Sequence, residues 1–174
     1  IFIQGSYNPV TDAMVSDTIS VYIRSAVSPY EVLDFARALV DSSGYASFQF
    51  SNAVNGNDYY IQLEHRNSLE TWSNTPQQFS GNSLNYDFTT AANQAFGDNM
   101  IQVNTSPLRF GIYNGDTDQD GTIDASDLSM IDNDATNFVG GYVVTDLTGD
   151  SFVDGSDFAI ADNNAANFIS VIRP

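Results

Sequence analysis

Shifting the chain against itself by 30 residues superposes Asp116 on Asp146, Asp120 on Asp150, Asp124 on Asp154 and Asp127 on Asp157. The register continues through Ser126/Ser156, Asp132/Asp162, Asn133/Asn163, Ala135/Ala165, Asn137/Asn167 and Phe138/Phe168. An internal repeat at fixed spacing means one supersecondary unit present twice. Apolar spacing over 126–138 and 156–168 is helical, so the unit is an acidic loop followed by a helix.

The loop itself is informative. "DTDQDGTIDASD" (116–127) carries Asp at its first, third, fifth, ninth and twelfth positions and Gly121 at the sixth. A solvated acidic turn gives no reason for that spacing. A hard cation such as Ca²⁺ does, because it takes about 6–8 oxygen ligands and a twelve-residue loop can wrap it, with Gly at the sharp turn. The expected ligands are Asp116, Asp118, Asp120, the Thr122 carbonyl, Asp124 and Asp127. In the second loop, "DLTGDSFVDGSD", the set is Asp146, Thr148, Asp150, the Phe152 carbonyl, Asp154 and Asp157. Thr148 offers only a neutral hydroxyl, and Ser151 stands where Gly would turn more cheaply. Two calcium sites are expected, the second weaker. Ile123 and Val153, at position eight of each loop, are expected to pair in a short β-contact.

This loop–helix pair, over about residues 114–170, resembles a dockerin module, the calcium-binding element that plugs cellulosomal enzymes into cohesins. The likeness includes Asp at position twelve, the lack of an entering helix and the duplication. It implies two EF-hand-like calcium sites and a cohesin-like partner contacted by Ala125–Ser126, Gly155–Ser156 and the helices after them. The basic pair common on dockerin helices is absent: Asp132–Asn133 and Asp162–Asn163 stand instead. Calcium binding therefore carries over, whereas cohesin recognition does not.

Charge narrows the partners. The formal net charge is −17, the five basic residues are all Arg, and there is no Lys. Nucleic acid and anionic membranes are repelled by such a chain, and no apolar run reaches the roughly 20 residues of a membrane span. Residues 111–174 hold twelve Asp and one Arg, an asymmetry that fits metal better than solubility. Nine loop carboxylates in a small volume repel one another, so calcium should be structural, and its millimolar supply outside cells places the protein in an extracellular or surface setting. The absence of Cys excludes disulfides and thiolate zinc sites. The chain opens on Ile1, as expected of a processed form or an excised fragment.

Residues 1–103 are expected to form an antiparallel β-sandwich. "DTISVYIRS" (17–25), "YASFQFS" (45–51) and "DYYIQLEH" (58–65) alternate apolar and polar residues. "IFIQGSY" (1–7), "LNYDFTT" (84–90) and "NMIQV" (99–103) are expected as further strands, and "EVLDFARALV" (31–40) as a strand in spite of spacing that also suits a helix. Residues 104–110 are expected as a linker and 111–174 as the calcium domain. Residues 44–68 resemble the middle of transthyretin-like and Cna-B-like sandwiches; without Lys, the internal isopeptide bond of many Cna-B-like domains cannot form here.

No catalytic constellation is evident. His65, the single histidine, has Ser68 and Glu70 nearby but no hydrolase context, and a structural histidine is expected. Trp72 beside Tyr59 and Tyr60 is expected in the core, with a sugar platform as the alternative. Three non-catalytic readings remain. The first is a secreted structural subunit of a filament or polymer, pairing through the apolar "IFI" at its start; the second is a dockerin-type adaptor for a cohesin-like protein; the third is a carbohydrate-binding module. Expected partners are another copy of the chain or another extracellular protein. A glycan is a further candidate, since "DTI" at Thr18 resembles an O-glycosylation acceptor.

Overall fold

The computed structural model describes residues 1–174. A small hairpin of β1 (Tyr7–Asn8) and β2 (Ala13–Met14) precedes the main sheet. That sheet contains β3 (Asp17–Ser25), β4 (Val32–Val40), β5 (Asp58–His65) and β6 (Ser68–Trp72), antiparallel in the order β4-β3-β5-β6, with β7 (Gln77–Gln78) pairing β5 beyond β6. Strand β4 is the stretch whose spacing also suited a helix. Period-two alternation explains the rest: Ile19, Val21 and Ile23 of β3 and Tyr59, Ile61 and Leu63 of β5 all face inward and are buried.

A second layer covers that inner face and makes the fold a β-sandwich. It includes the hairpin of β8 (Ile101–Thr105) and β9 (Leu108–Gly111), together with Phe48, Phe50, Leu84, Tyr86 and Phe88. Residues 45–51 and 84–90, expected as strands, join no ladder, and 88–90 turn. The alternation there is real, since Ala46, Phe48 and Phe50 are half-buried while Ser47, Gln49 and Ser51 are exposed. It reports which face a residue takes, and says nothing of where its amide bonds. Residues 104–110, read as a linker, instead form the turn and strand of the β8–β9 hairpin. The apolar start of the chain is not an exposed strand. Phe2 and Ile3 lie in the sandwich core, and Ile3 bridges Ile112 in parallel.

Two helices follow, α1 (Ala125–Thr136) and α2 (Gly155–Ala166), and neither is long and apolar enough to cross a membrane. Each starts with a capping box: Asp124 and Asp154 accept from the Ser126 and Ser156 amides, and Asp127 and Asp157 accept from the amides of the two cap residues. Each ends two residues before its apolar periodicity does, at caps Asn137 and Asn167. Phe138 and Phe168 then take left-handed backbone at φ 54° and 55°.

The expected pairing of Ile123 with Val153 does not occur. Each loop pairs instead with the segment leaving the helix of the other repeat. Ile123 N–H donates to Ile169 O (3.0 Å) and Val171 N–H to Gly121 O (2.8 Å). In the equivalent positions Val153 N–H donates to Val139 O (3.0 Å) and Gly141 N–H to Ser151 O (2.8 Å). The exchange closes the two units on one another. Their side chains share a core of Ile123, Ile131, Leu147, Val153 and Ala161, completed by Leu69 from β6.

A buried polar joint locks this module to the β5–β6 turn. Asn67 Nδ2 donates to the carbonyls of Val144 (3.0 Å) and Asp146 (2.9 Å), and Arg66 donates to those of Val143 and Asp146. Asn114 Nδ2 donates to Asn67 Oδ1 (2.8 Å), and Asn164 Nδ2 donates to Asn114 O (2.6 Å) and Gln4 Oε1 (2.7 Å). No buried side-chain nitrogen or oxygen in the chain lacks a partner. Backbone approach at the joint is close, because a Cβ on Gly5 would sit 2.4 Å from Leu147 O. Gly5→Ala should therefore lower stability by about 1–3 kcal/mol through overpacking, read from urea melts against the wild type.

Candidate metal centre

The first loop draws three carboxylates together. Oxygens of Asp116, Asp118 and Asp120 lie within 4.8 Å of one another, with Asp116 buried and the other two exposed. Burial, followed by the like charges of Asp127, Asp120 and Asp118, pushes the Asp116 carboxyl up to about 7, although the Gly121 N–H points at it. A cation among these oxygens would remove that repulsion. The Thr122 and Phe152 carbonyls accept no hydrogen bond from the chain, whereas those of their neighbours Gly121 and Ser151 do. Three converging carboxylates and a free carbonyl suit a hard, oxygen-seeking cation such as calcium.

The other expected ligands have structural tasks in the same loop. Asp127 is fully buried. Its Oδ1 accepts from the amides of Thr117 (2.7 Å) and Asp118 (3.3 Å), and its Oδ2 accepts from Asp124 N–H (2.9 Å). The Asp124 side chain turns onto Ser126 as the α1 cap. Asp120 Oδ1 accepts from Thr122 N–H (2.8 Å).

In the second loop Asp146, Thr148 and Asp150 stand in the same places, but Thr148 leaves two carboxylates where the first loop has three. Asp146 is satisfied locally, accepting from the Gly149 (2.8 Å) and Ser151 (3.1 Å) amides, while Asp150 accepts from Phe152 N–H (2.9 Å). Asp157, fully buried, accepts from the Leu147 and Thr148 amides, and Asp154 caps α2.

Both loops need left-handed backbone twice. Position six is Gly121 at φ 91° and Ser151 at φ 69°; position four is Gln119 at φ 60° and Gly149 at φ 75°. The first loop thus has glycine at position six and strains Gln119 at position four, whereas the second has glycine at position four and strains Ser151 at position six. The cost at Ser151 was readable from its alignment with Gly121. The role of Gly149 was not, because its partner Gln119 disguises the need for positive φ.

Elsewhere, Ser68 Oγ, His65 and Asp17 form a hydrogen-bonded chain: His65 Nδ1 to Ser68 Oγ at 2.8 Å and Nε2 to Asp17 Oδ2 at 3.0 Å. The order is that of a hydrolytic triad, but the setting is not. Ser68, His65 and Asp17 are 0%, 3% and 6% exposed, so no substrate reaches the hydroxyl. Asp17 is instead a tie between modules, accepting from Arg66 Nε (3.1 Å) and Tyr142 O–H (2.6 Å). Burial alone would raise its carboxyl; hydrogen bonds from His65, Tyr142 and the Thr18 amide outweigh that and hold it well below the usual range. Of the three rings considered as a sugar platform, Trp72 and Tyr59 are buried, and Tyr60 is half-buried and packs edge-on against Trp72.

No protein-family model and no curated protein matches the chain. Among solved structures, it is similar to a chain of a C-terminal interface mutant of a type II cohesin–X-dockerin complex from Acetivibrio cellulolyticus. The TM-score is 0.51 at 18% identity, covering 99% of this chain and 90% of that one. The N-terminal interface mutant of the same complex gives a TM-score of 0.49 at 16% identity over the same shares. The first of these likenesses is one of fold, and it runs the length of the chain.

Two outcomes follow from the geometry. Ser151→Gly should stabilise the chain by about 1 kcal/mol by relieving left-handed strain, measured by thermal melts in chelator. Because Asp17 titrates lower folded than unfolded, its stabilisation is present above about pH 4 and is lost as pH falls. The stability gap between wild type and Asp17→Asn should therefore be widest near neutrality and narrow below about pH 4.

Proposed function

We propose that the chain is a non-catalytic, calcium-stabilised adaptor of an extracellular assembly, in which the β-sandwich buttresses a dockerin-like loop–helix pair. The observation that carries this reading is the convergence of Asp116, Asp118 and Asp120 in a duplicated unit whose loops close on each other. The Thr122 carbonyl, Asp124 and Asp127 complete the first ligand set. The second is Asp146, Thr148, Asp150, the Phe152 carbonyl, Asp154 and Asp157. The chain-long likeness to a chain from a cohesin–X-dockerin complex supports the adaptor reading over the alternatives. The filament reading drew on the apolar N-terminus, which is consumed by the chain's own core. The sugar-binding reading drew on Trp72, Tyr59 and Tyr60, of which the first two are buried and only Tyr60 is half-exposed, so no row of exposed rings supports it.

Calcium supplies the energy that such a module needs. An ion that binds only the folded state contributes about 2.7 kcal/mol at a hundredfold excess over its Kd. Millimolar extracellular calcium provides that excess for a site of modest affinity. The partner proposed is a cohesin-like protein engaging exposed residues around Ala125–Ser126 or Gly155–Ser156.

Calorimetry should show two calcium sites of unequal affinity, and Asp116→Ala with Asp120→Ala should remove the tighter one. A melting temperature that is the same in calcium and in chelator would refute the structural-calcium claim. Binding to a type II cohesin in calcium, lost in chelator, is the expected result for the adaptor role. Two filled calcium sites without cohesin binding would leave the metal reading standing and remove the adaptor one.

A further inference from the structure

The two edges of the main sheet are treated differently. At the β6 edge the chain covers itself: Ser68 bridges Asn114, Leu69 N–H donates to Tyr113 O, and Ser73 bridges Ala95. At the opposite edge β4 runs for nine residues with β3 as its sole ladder partner. On its outer side only Ser51 and Asn52 reach it, at one end: Asn52 donates from Nδ2 to Leu33 O (3.1 Å) and from its amide to Asp34 Oδ2 (2.8 Å), and Ser51 Oγ donates to Asp34 Oδ2 (3.3 Å). Open edges are usually blunted by Lys, Pro or inward charges. Strand β4 has no Lys and no Pro; its one inward charge, Asp34, is held by Ser51 and Asn52, and its register with β3 shifts by one residue at Leu33, so the edge is guarded at that end alone. It exposes Leu33 (40%), Phe35 (62%) and Leu39 (61%) beside Arg37.

The order of those side chains identifies an occupant. Residues at odd positions read Leu33, Phe35, Arg37, Leu39. Laid antiparallel on a copy of itself about Ala36, the strand sets Leu33 against Leu39, Phe35 against Arg37, Arg37 against Phe35 and Leu39 against Leu33. Apolar side chains meet at both ends and cation–π pairs form between them, with no like charges opposed. Asp34 and Arg37 leave the strand neutral in a chain of net charge −17. We propose that β4 is a self-pairing edge through which two copies of this chain form an antiparallel, continuous sheet.

The placement of the acidic module is compatible with such a pair. Its anchor, the β5–β6 turn, lies two to three strands from β4, so the two anchors are separated by five to seven strand spacings. At about 4.8 Å each that is about 24–34 Å, several times the Debye length of about 8 Å at physiological salt. Repulsion between the modules is screened at that distance, and the proposal does not depend on what the module binds.

Sedimentation equilibrium of the full chain should give a concentration-dependent mass rising to about twice 18.9 kDa. Leu33→Glu with Leu39→Glu opposes like charges at both ends and should weaken association at least tenfold. Leu33→Lys with Leu39→Glu sets opposite charges in the same register and should restore it. Both pairs sit on exposed positions, and circular dichroism melts should show the variants folded. A chain that remains monomeric at all concentrations overturns the proposal and leaves the edge to a different partner. A dimer equally strong in Leu33→Glu/Leu39→Glu overturns it as well, by placing the contact elsewhere.

Discussion

The architecture depends on a single wholly buried amide. Asn67 sits at the β5–β6 turn, donating to the carbonyls of Val144 and Asp146 and accepting from Asn114. Asp146 is the first residue of the second loop, so one side chain of the sandwich fixes where that loop begins. Arg66 beside it donates to the same carbonyl, and Leu69, two residues on, fills the apolar centre of the helical pair. A hydrophobic contact would allow the two parts to slide. A satisfied polar network has one geometry, and breaking any member leaves the others unpaired in a dry environment. Orientation is thus set by amides, whereas cohesion comes from Leu69 and its neighbours.

The loops show how a crowded acidic segment keeps its shape. Asp127 and Asp157 are fully buried carboxylates that accept backbone amides at both ends of their loops. Amide donors give these charges partners independent of any ion. What they do not offset is the encounter of Asp116 with Asp118 and Asp120, where burial and like charge act together. The second loop avoids that encounter because Thr148 removes one carboxylate and the Gly149 and Ser151 amides close on Asp146. One repeat has retained an electrostatic demand that the other has relaxed. The difference in expected affinity is therefore a difference in the energy of the empty loop as much as in ligand count.

What the sequence disclosed followed from periodicity and spacing. The bounds of β3 and β5 and the starts of both helices were legible, since alternation and the Asp-capped loop–helix junction are local signals. The faces of residues 45–51 and 84–90 were also legible, but their hydrogen bonding was not, because side-chain period carries no information on amide partners. Pairing of Ile123 with Ile169 and of Val153 with Val139 was hidden for another reason. Position eight of a loop is apolar whichever strand it meets, and the symmetric answer looked simpler than the exchanged one. The joint was invisible: Asn67, Asn114, Asn164 and Gln4 are far apart in sequence, and each reads as an ordinary surface amide. Arg66, next to His65, carries no sequence signal of its task, which is to hold the Val143 and Asp146 carbonyls.

Exchange of the helix-exit segments has a mechanical consequence. Loop one is closed by residues 169–171 and loop two by residues 139–141, so neither unit can open without releasing the other. The second loop is bound through Asp146 to Arg66 and Asn67, and the segment leading into the first is bound through Gly115 N–H to Asn67 O. Loss of order in either loop would unpair Asn67, expose Leu69 and remove the partners of Asp17 at Tyr142. Any ion held by Asp116, Asp118 and Asp120 would therefore stabilise more than a loop. Its binding energy would be felt across the joint, and the sandwich and the helical pair would melt as one cooperative unit.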